Sequence, residues 1–425
     1  MSIRIAILLV AAVAGSSAAQ EARAQTPAAS RAGDSSGPEW TFGWEEHPTL
    51  RLRNEVRLDF RARFQGDVRG GESTLAPATD IGGFDLARRR IGVAGSVGRD
   101  ASFQVEYELA NNAPWRDVYI DYRLVKAVQV QAGKFKLPFG LDENTSSSQL
   151  DFLYRSRAAT ELAPGRDRGV MAHGRIHMLR YELGVFAHDG DNARGANSMR
   201  AFGNRTTAGR LVYQPFRSSK SPFEDLQVGA AFTTSDVPAG VSDLSGRTAI
   251  GQQFFPKRYF VNGARTRVGL EGRWRPGPLS FQGEYTRLTS ERLGQSVEGT
   301  DLAPLVGRGW YGSAAWVLTG ERKRRGATEP AHPLFDGGAG SIELAARVEE
   351  LRYSSRGVDV PSTAPRAETI ALSRDRAVTL GVNWAPNRWT RVQFNLIRDA
   401  VSSPVDPSRF PASSWGRVVR FQVSL

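Results

Sequence analysis

Residues 50–65 alternate between apolar and polar with a period of two. Leu50, Leu52, Val56, Leu58, Phe60, Ala62 and Phe64 share one parity, broken only by Asn54. Arg51, Arg53, Glu55, Arg57, Asp59, Arg61, Arg63 and Gln65 hold the other. A helix would spread both sets round its circumference, whereas a strand puts one on each face. Sixteen residues is long beside the usual strand of about 5–6. An oily face backed by a charged one suits a transmembrane β-barrel enclosing water.

The alternation recurs at 84–97, 103–109, 118–124 and 128–139, then at 169–176, 179–188, 207–214 and 225–233. It returns at 266–274, 279–289, 309–318, 341–353, 377–384, 389–398 and 416–425. These segments predict an all-β fold, a sixteen-stranded antiparallel transmembrane β-barrel, with the even strand number of single-chain bacterial barrels. The breaks at 98–100, 275–278 and 385–388 read as tight turns on one rim. Those at 140–167, 189–206, 234–257 and 354–374 read as long loops on the other. The stretch 321–338, opening with Glu321-Arg-Lys-Arg-Arg325, is an exception, because it is long yet falls on the turn side.

Bulk properties agree once the alternation is recognised. Mean hydropathy is -0.37, as expected where each lipid-facing residue is diluted by a polar neighbour. No internal run approaches the ~18 apolar residues of a membrane helix. At the N-terminus, Arg4 precedes an apolar core over 5–14 and then small residues, which reads as a secretory signal cut before Gln20 or Gln25. The expected organisation is a signal peptide at 1–24, a flexible N-terminal segment at 25–48 and a barrel at 49–425. Export followed by a barrel implies the bacterial outer membrane, with its lipids as partners. The absence of cysteine excludes disulfides and thiol metal sites.

Net charge is +12, and only six of the 56 basic residues are lysine. Arginine presents a fixed fork of donors suited to phosphate and carboxylate. No nucleic-acid motif accompanies the charge, so no nucleic-acid partner is expected. Parity puts Arg57, Arg61 and Arg63 on the lumen side, with Arg90 and Arg175, and with Arg123, Arg265, Arg267, Arg273 and Arg347 as further candidates. The 140–167 insertion and its exit add Arg155, Arg157, Arg166 and Arg168. Lys134 and Lys136 share the parity of Val128 and Val130, which places them lipid-side unless they lie at the rim or past a bulge. Lumenal acids such as Glu55, Asp59, Glu106, Glu108, Asp121, Glu271 and Glu343 supply the alternative of a balanced, unselective wall. The five histidines and the Asp189-Gly-Asp-Asn192 stretch compose no metal site, and nothing in the sequence points to a cofactor or an enzyme.

Several blocks resemble the phosphate-selective porin O and P family. They are Gly133-Lys-Phe-Lys-Leu-Pro-Phe-Gly140, the following Leu141-Asp-Glu-Asn-Thr-Ser146, Phe152-Leu-Tyr-Arg155 and Pro164-Gly-Arg-Asp-Arg-Gly-Val-Met171. Leu318-Thr-Gly-Glu321 and Ser341-Ile-Glu-Leu-Ala-Ala-Arg347 follow in the family's order. The resemblance implies a homotrimer of sixteen-stranded barrels, each with its third loop folded inward and basic residues lining a path for phosphate, polyphosphate or other small anions. The family places lysines in its constriction, and this chain is lysine-poor. The other readings are a general porin and a non-conducting surface receptor or structural barrel. Neutralising Arg155 and Arg157 is expected to lower any anion preference.

Overall fold

The computed structural model describes residues 40–44, 47–53, 55–74, 82–109, 114–191, 205–323, 326–355, 364–404 and 411–425. The expected signal peptide (1–24), residues 25–39 after it, and parts of three expected loops (192–204, 324–325 and 356–363) lie outside the described residues.

Sixteen strands form one closed antiparallel barrel. They are β1 (Val56–Ser73), β2 (Gly83–Val97), β3 (Ala101–Glu108), β4 (Trp115–Val125), β5 (Val128–Lys136), β6 (Arg166–Ile176), β7 (Leu179–Phe186) and β8 (Thr206–Tyr213). The second half comprises β9 (Gln227–Val241), β10 (Phe260–Trp274), β11 (Leu279–Arg292), β12 (Leu302–Val317), β13 (Ser341–Ser355), β14 (Ser373–Ala385), β15 (Thr390–Ser402) and β16 (Ala412–Ser424). Each strand pairs with its sequence neighbours, and β16 closes on β1 from Ser414↔Ser73 to Ser424↔Arg63. Closure leaves no sheet edge in the wall, which a bilayer requires because lipid cannot satisfy free backbone groups.

All sixteen alternating segments are strands, but the first departs from expectation. The stretch 50–65 is not continuous, because the chain reverses at Arg53, which takes a left-handed φ of 47°. Pro48–Leu52 belongs to a hairpin with Trp40–Trp44 and lies against the start of β1, with Leu50 opposite Leu58 and Leu52 opposite Val56. That reversal pairs even positions with even ones, so the alternation passes through it unbroken. The hairpin strand occupies the same edge of β1 as β16, in line beyond Leu425, which exchanges backbone hydrogen bonds with Ala62. Trp44 packs edge-on against Trp389 of the β14–β15 turn.

Several strands also run further towards the loop rim than the alternation suggested. β12 begins at Leu302, seven residues before 309, and its inward-facing Leu305 is buried in an apolar core there. Period two fails because the inner face at that level packs on protein rather than water.

Among the described residues that protein is supplied chiefly by three inward-folded segments. The third loop (137–165) carries α1 (Leu141–Asn144) and α2 (Arg157–Glu161). The β9–β10 loop contributes a small ribbon, Gly246–Arg247 with Gln253–Phe255. Its Leu244, Phe254, Phe255 and Tyr259 form an apolar core with Leu162 of the third loop and with Leu288, Leu305, Leu351 and Tyr353 of the wall. The long β12–β13 connection also enters the barrel, and a Cβ at Gly326 would lie 1.7 Å from the carbonyl oxygen of Gln149, so only glycine permits that approach.

On the outer face, Phe64, Ile120, Val170, Leu183, Val268, Leu270, Leu380 and Phe421 are exposed and form an apolar belt. A charge introduced into the belt meets hydrocarbon, whereas one on the inner face meets water and polar groups. Val268→Arg is expected to cost about 2–4 kcal/mol of folding free energy, read by urea titration in lipid vesicles. Gln282→Arg, on the inner face of β11, is expected to cost under about 1 kcal/mol in the same urea titration.

Candidate pore constriction

The third loop does not cross the lumen symmetrically. It leans on the wall made by β10–β16, which holds it mainly through its backbone. Arg267 donates to the Leu162 carbonyl at 2.7 Å, Arg347 to Tyr154 at 2.9 Å, Arg391 to Leu150 at 2.8 Å and Arg420 to Leu153 at 2.7 Å. Carboxylates take the loop's N–H groups. Glu349 accepts from Arg157 at 2.5 Å, and Glu284 accepts from Leu141 at 2.9 Å and also from Asp142. Glu284 sits so close that a Cβ at Gly140 would meet its Oε2 at 2.9 Å, and Gly140 has a φ of 76°, so glycine is required twice over. A buried irregular loop must pair its backbone polar groups, and this wall pairs many of them with ions.

Arg420 joins this anchorage to the barrel seam. Besides Leu153 it grips Asp67 of β1 with two hydrogen bonds of 2.7 Å, and both side chains are buried. Arg265 and Arg267 likewise enclose Asp189, where burial works to raise the carboxyl pKa and the two guanidinium groups outweigh it. Asp189 is therefore an ion-pair anchor.

Opposite this packed half, a crescent-shaped cavity of about 700 Å³ remains between the third loop and the wall of β1–β7. Among the described residues, nine cationic side chains line it: Arg61, Arg63, Arg88, Arg90, Arg116, Lys136, Arg155, Arg157 and Arg166. Four carboxylates accompany them, from Glu106, Asp117, Glu143 and Glu182. The cations differ in how far they are neutralised. Arg90 is paired with Glu108 at 2.6 Å and Glu106 at 2.9 Å, and Arg166 holds Asp117 with bonds of 3.1 and 2.9 Å. Arg155 and Lys136 share Glu143 at 3.3 and 3.5 Å; burial would raise that carboxyl's pKa, but Lys136 and Arg155 hold it below the usual range. Arg157 is committed to the Thr248 and Arg155 carbonyls. Arg61 and Arg88 have no carboxylate within ion-pair distance among the described residues. They contact only the amide oxygens of Gln104 at 3.5 Å and Gln65 at 2.8 Å. Arg63 reaches Glu106 only at 4.0 Å.

The expected site residues therefore divide. Arg61, Arg90, Arg155, Arg157, Arg166 and Lys136 come together at the cavity. Lys136 is the last residue of β5, where the ladder ends and parity no longer fixes direction. Its ammonium bonds the Glu143 carbonyl. Lys134 and Arg168, cross-strand partners, stay on the outer parity, and Lys134 donates to the Trp115 carbonyl. Arg57 is paired with Asp59 outside the cavity, and Arg175 bonds Gln214 near the turn rim. Arg88 and Arg116 were not singled out by the sequence. Arg88 has the parity of Arg90, two residues away, and that was the available signal.

The Arg420–Asp67 pair should be costly to break, because a fully buried Asp67 would be left without its counter-ion. Arg420→Ala is expected to lower stability by about 3–5 kcal/mol, read from the urea midpoint of the refolded barrel.

A family model described as phosphate-selective porin O and P matches residues 57–404. Porin O of Pseudomonas aeruginosa is 25% identical over 388 residues, covering 82% of each chain. An anion-selective porin from Comamonas acidovorans superposes with a TM-score of 0.52 at 13% identity, covering 87% of this chain and all of that one. OmpT of Vibrio cholerae, in a trimer form, gives 0.52 at 13% identity, covering 87% of this chain and 99% of its own. The structural likenesses are to the fold.

Proposed function

Because the chain belongs to the phosphate-selective porin O and P family, we propose that it is a bacterial outer-membrane porin through which small anions, phosphate foremost, diffuse along the cationic crescent. The observation that carries this reading is the pair Arg61 and Arg88, which line the cavity with no carboxylate partner among the described residues.

An anion entering so narrow a space sheds part of its hydration shell, and guanidinium donors replace those lost contacts. Arg61, Arg63 and Arg88 offer such donors along one wall. Conduction also requires that the ion leave, so the well must stay shallow. Glu106, Asp117 and Glu143 serve that need by tempering the field of neighbouring cations. The balanced-wall alternative describes the β10–β16 half, where the ions are spent on one another and on the third loop. The crescent is different, since its cations exceed its carboxylates. Phosphate as the preferred solute rests on the family and on the forked chemistry of arginine. Three copies of the barrel assemble in this reading, and cross-linking of the detergent-solubilised protein is expected to give a threefold band.

In planar bilayers under a chloride gradient, the wild type is expected to reverse on the anion side, with added phosphate reducing chloride current. The double variant Arg61→Gln/Arg88→Gln should shift reversal towards zero and weaken phosphate block by about tenfold or more, the loss of two charge-assisted contacts of about 1.5–3 kcal/mol each in part offset by hydration. Neutralising Arg155 and Arg157 is a poorer test than the sequence suggested, because both also hold the loop. Unchanged reversal in the Arg61/Arg88 variant would remove these residues from the path.

A further inference from the structure

Lys323 is a lysine in an unexpected place. It lies on the β12–β13 connection, at the turn rim, yet its side chain is only 1% exposed. Its backbone N–H donates to the Gly277 carbonyl at 2.9 Å, which fixes where the side chain starts. Its ammonium then reaches Asp151 of the third loop at 2.6 Å and Glu343 of β13 at 2.7 Å. Glu343 also accepts from Asn383 at 2.8 Å and lies 3.6 Å from Arg391.

The geometry points to Lys323 as a positioning residue for permeation, a strut from the turn rim that seats the middle of the third loop against the wall and so sets the width of the crescent. This rests on the channel reading above. The two carboxylates it bridges lie within about 5.3 Å of each other, since both touch one nitrogen. One belongs to the loop and the other to the wall. Without the ammonium they repel in a dry interior, where such repulsion is poorly screened. Leu153, Tyr154 and Arg155, just beyond Asp151, line the cavity. The wall blocks movement in the other direction, so displacement of Asp151 from β13 carries this part of the loop into the path.

Single-channel recording of the full-length protein tests the strut. Lys323→Met is expected to lower conductance about twofold, with frequent brief closures, as a narrowed constriction would. Lys323→Arg should retain both bridges and conduct as wild type. Lys323→Met/Asp151→Ala should recover quiet, wild-type conductance, because no like charges remain to part the loop from the wall. That rescue would not occur if Lys323 merely contributed to stability. Wild-type behaviour in Lys323→Met, or a double variant as noisy as the single, overturns the proposal. Should Lys323→Met not fold, Lys323→Gln carries the test, since it keeps a polar side chain in place and removes the charge: lowered conductance with brief closures supports the strut, and wild-type conductance overturns it. A wild type that does not conduct would instead overturn the channel reading.

Discussion

The guanidinium of Arg420 is the point on which this architecture depends. Its two bonds to Asp67 tie the last strand to the first, where the barrel must close. Its third bond holds the Leu153 carbonyl of the loop that narrows the lumen. Closure and constriction thus share one cation, and neither is arranged independently of the other. Burial makes the arrangement demanding as well as firm, because a charge removed from water must have its partners in place.

Arginine serves two purposes in this lumen, and the abundance of one residue type conceals the difference. On β10–β16 its planar fork suits the backbone of an irregular loop, since several N–H groups can meet carbonyls and a carboxylate together. Arg267, Arg347, Arg391 and Arg420 act in this way. On β1 and β2 the same side chain faces open space with glutamine for company, as at Arg61 and Arg88. Net charge alone would not separate these roles. The partner of each guanidinium does.

Much of the fold was legible because a wall between lipid and water imposes alternation on every strand. Legibility stopped where that contrast stops. The reversal at Arg53 was invisible because like parities pair across it. The third loop's inward course was implied by the family resemblance, whereas the β9–β10 loop was read as external because polar sequence with turn residues looks alike in water and inside a polar lumen. The β12–β13 connection, with Lys323 near its start, stood out only for its length on the turn rim. The candidate site was partly legible: parity indicated which arginines face inward, but pairing depends on contacts between distant strands, such as Arg166 with Asp117. Lys134 and Arg168 followed the family motif in sequence while facing the wrong way in space.

The off-axis course of the crescent has a consequence for how the molecule can change. The cations without a carboxylate partner among the described residues come from the first two strands, whereas most of the loop's fixings come from the second half of the chain. On the proposed path, solute preference and mechanical integrity would therefore be encoded in largely separate stretches of sequence. If anions follow the proposed path, a substitution at Arg61 or Arg88 changes what the opening attracts and spares most of its frame, so descendants of this barrel can acquire new solutes one residue at a time without first rebuilding the scaffold.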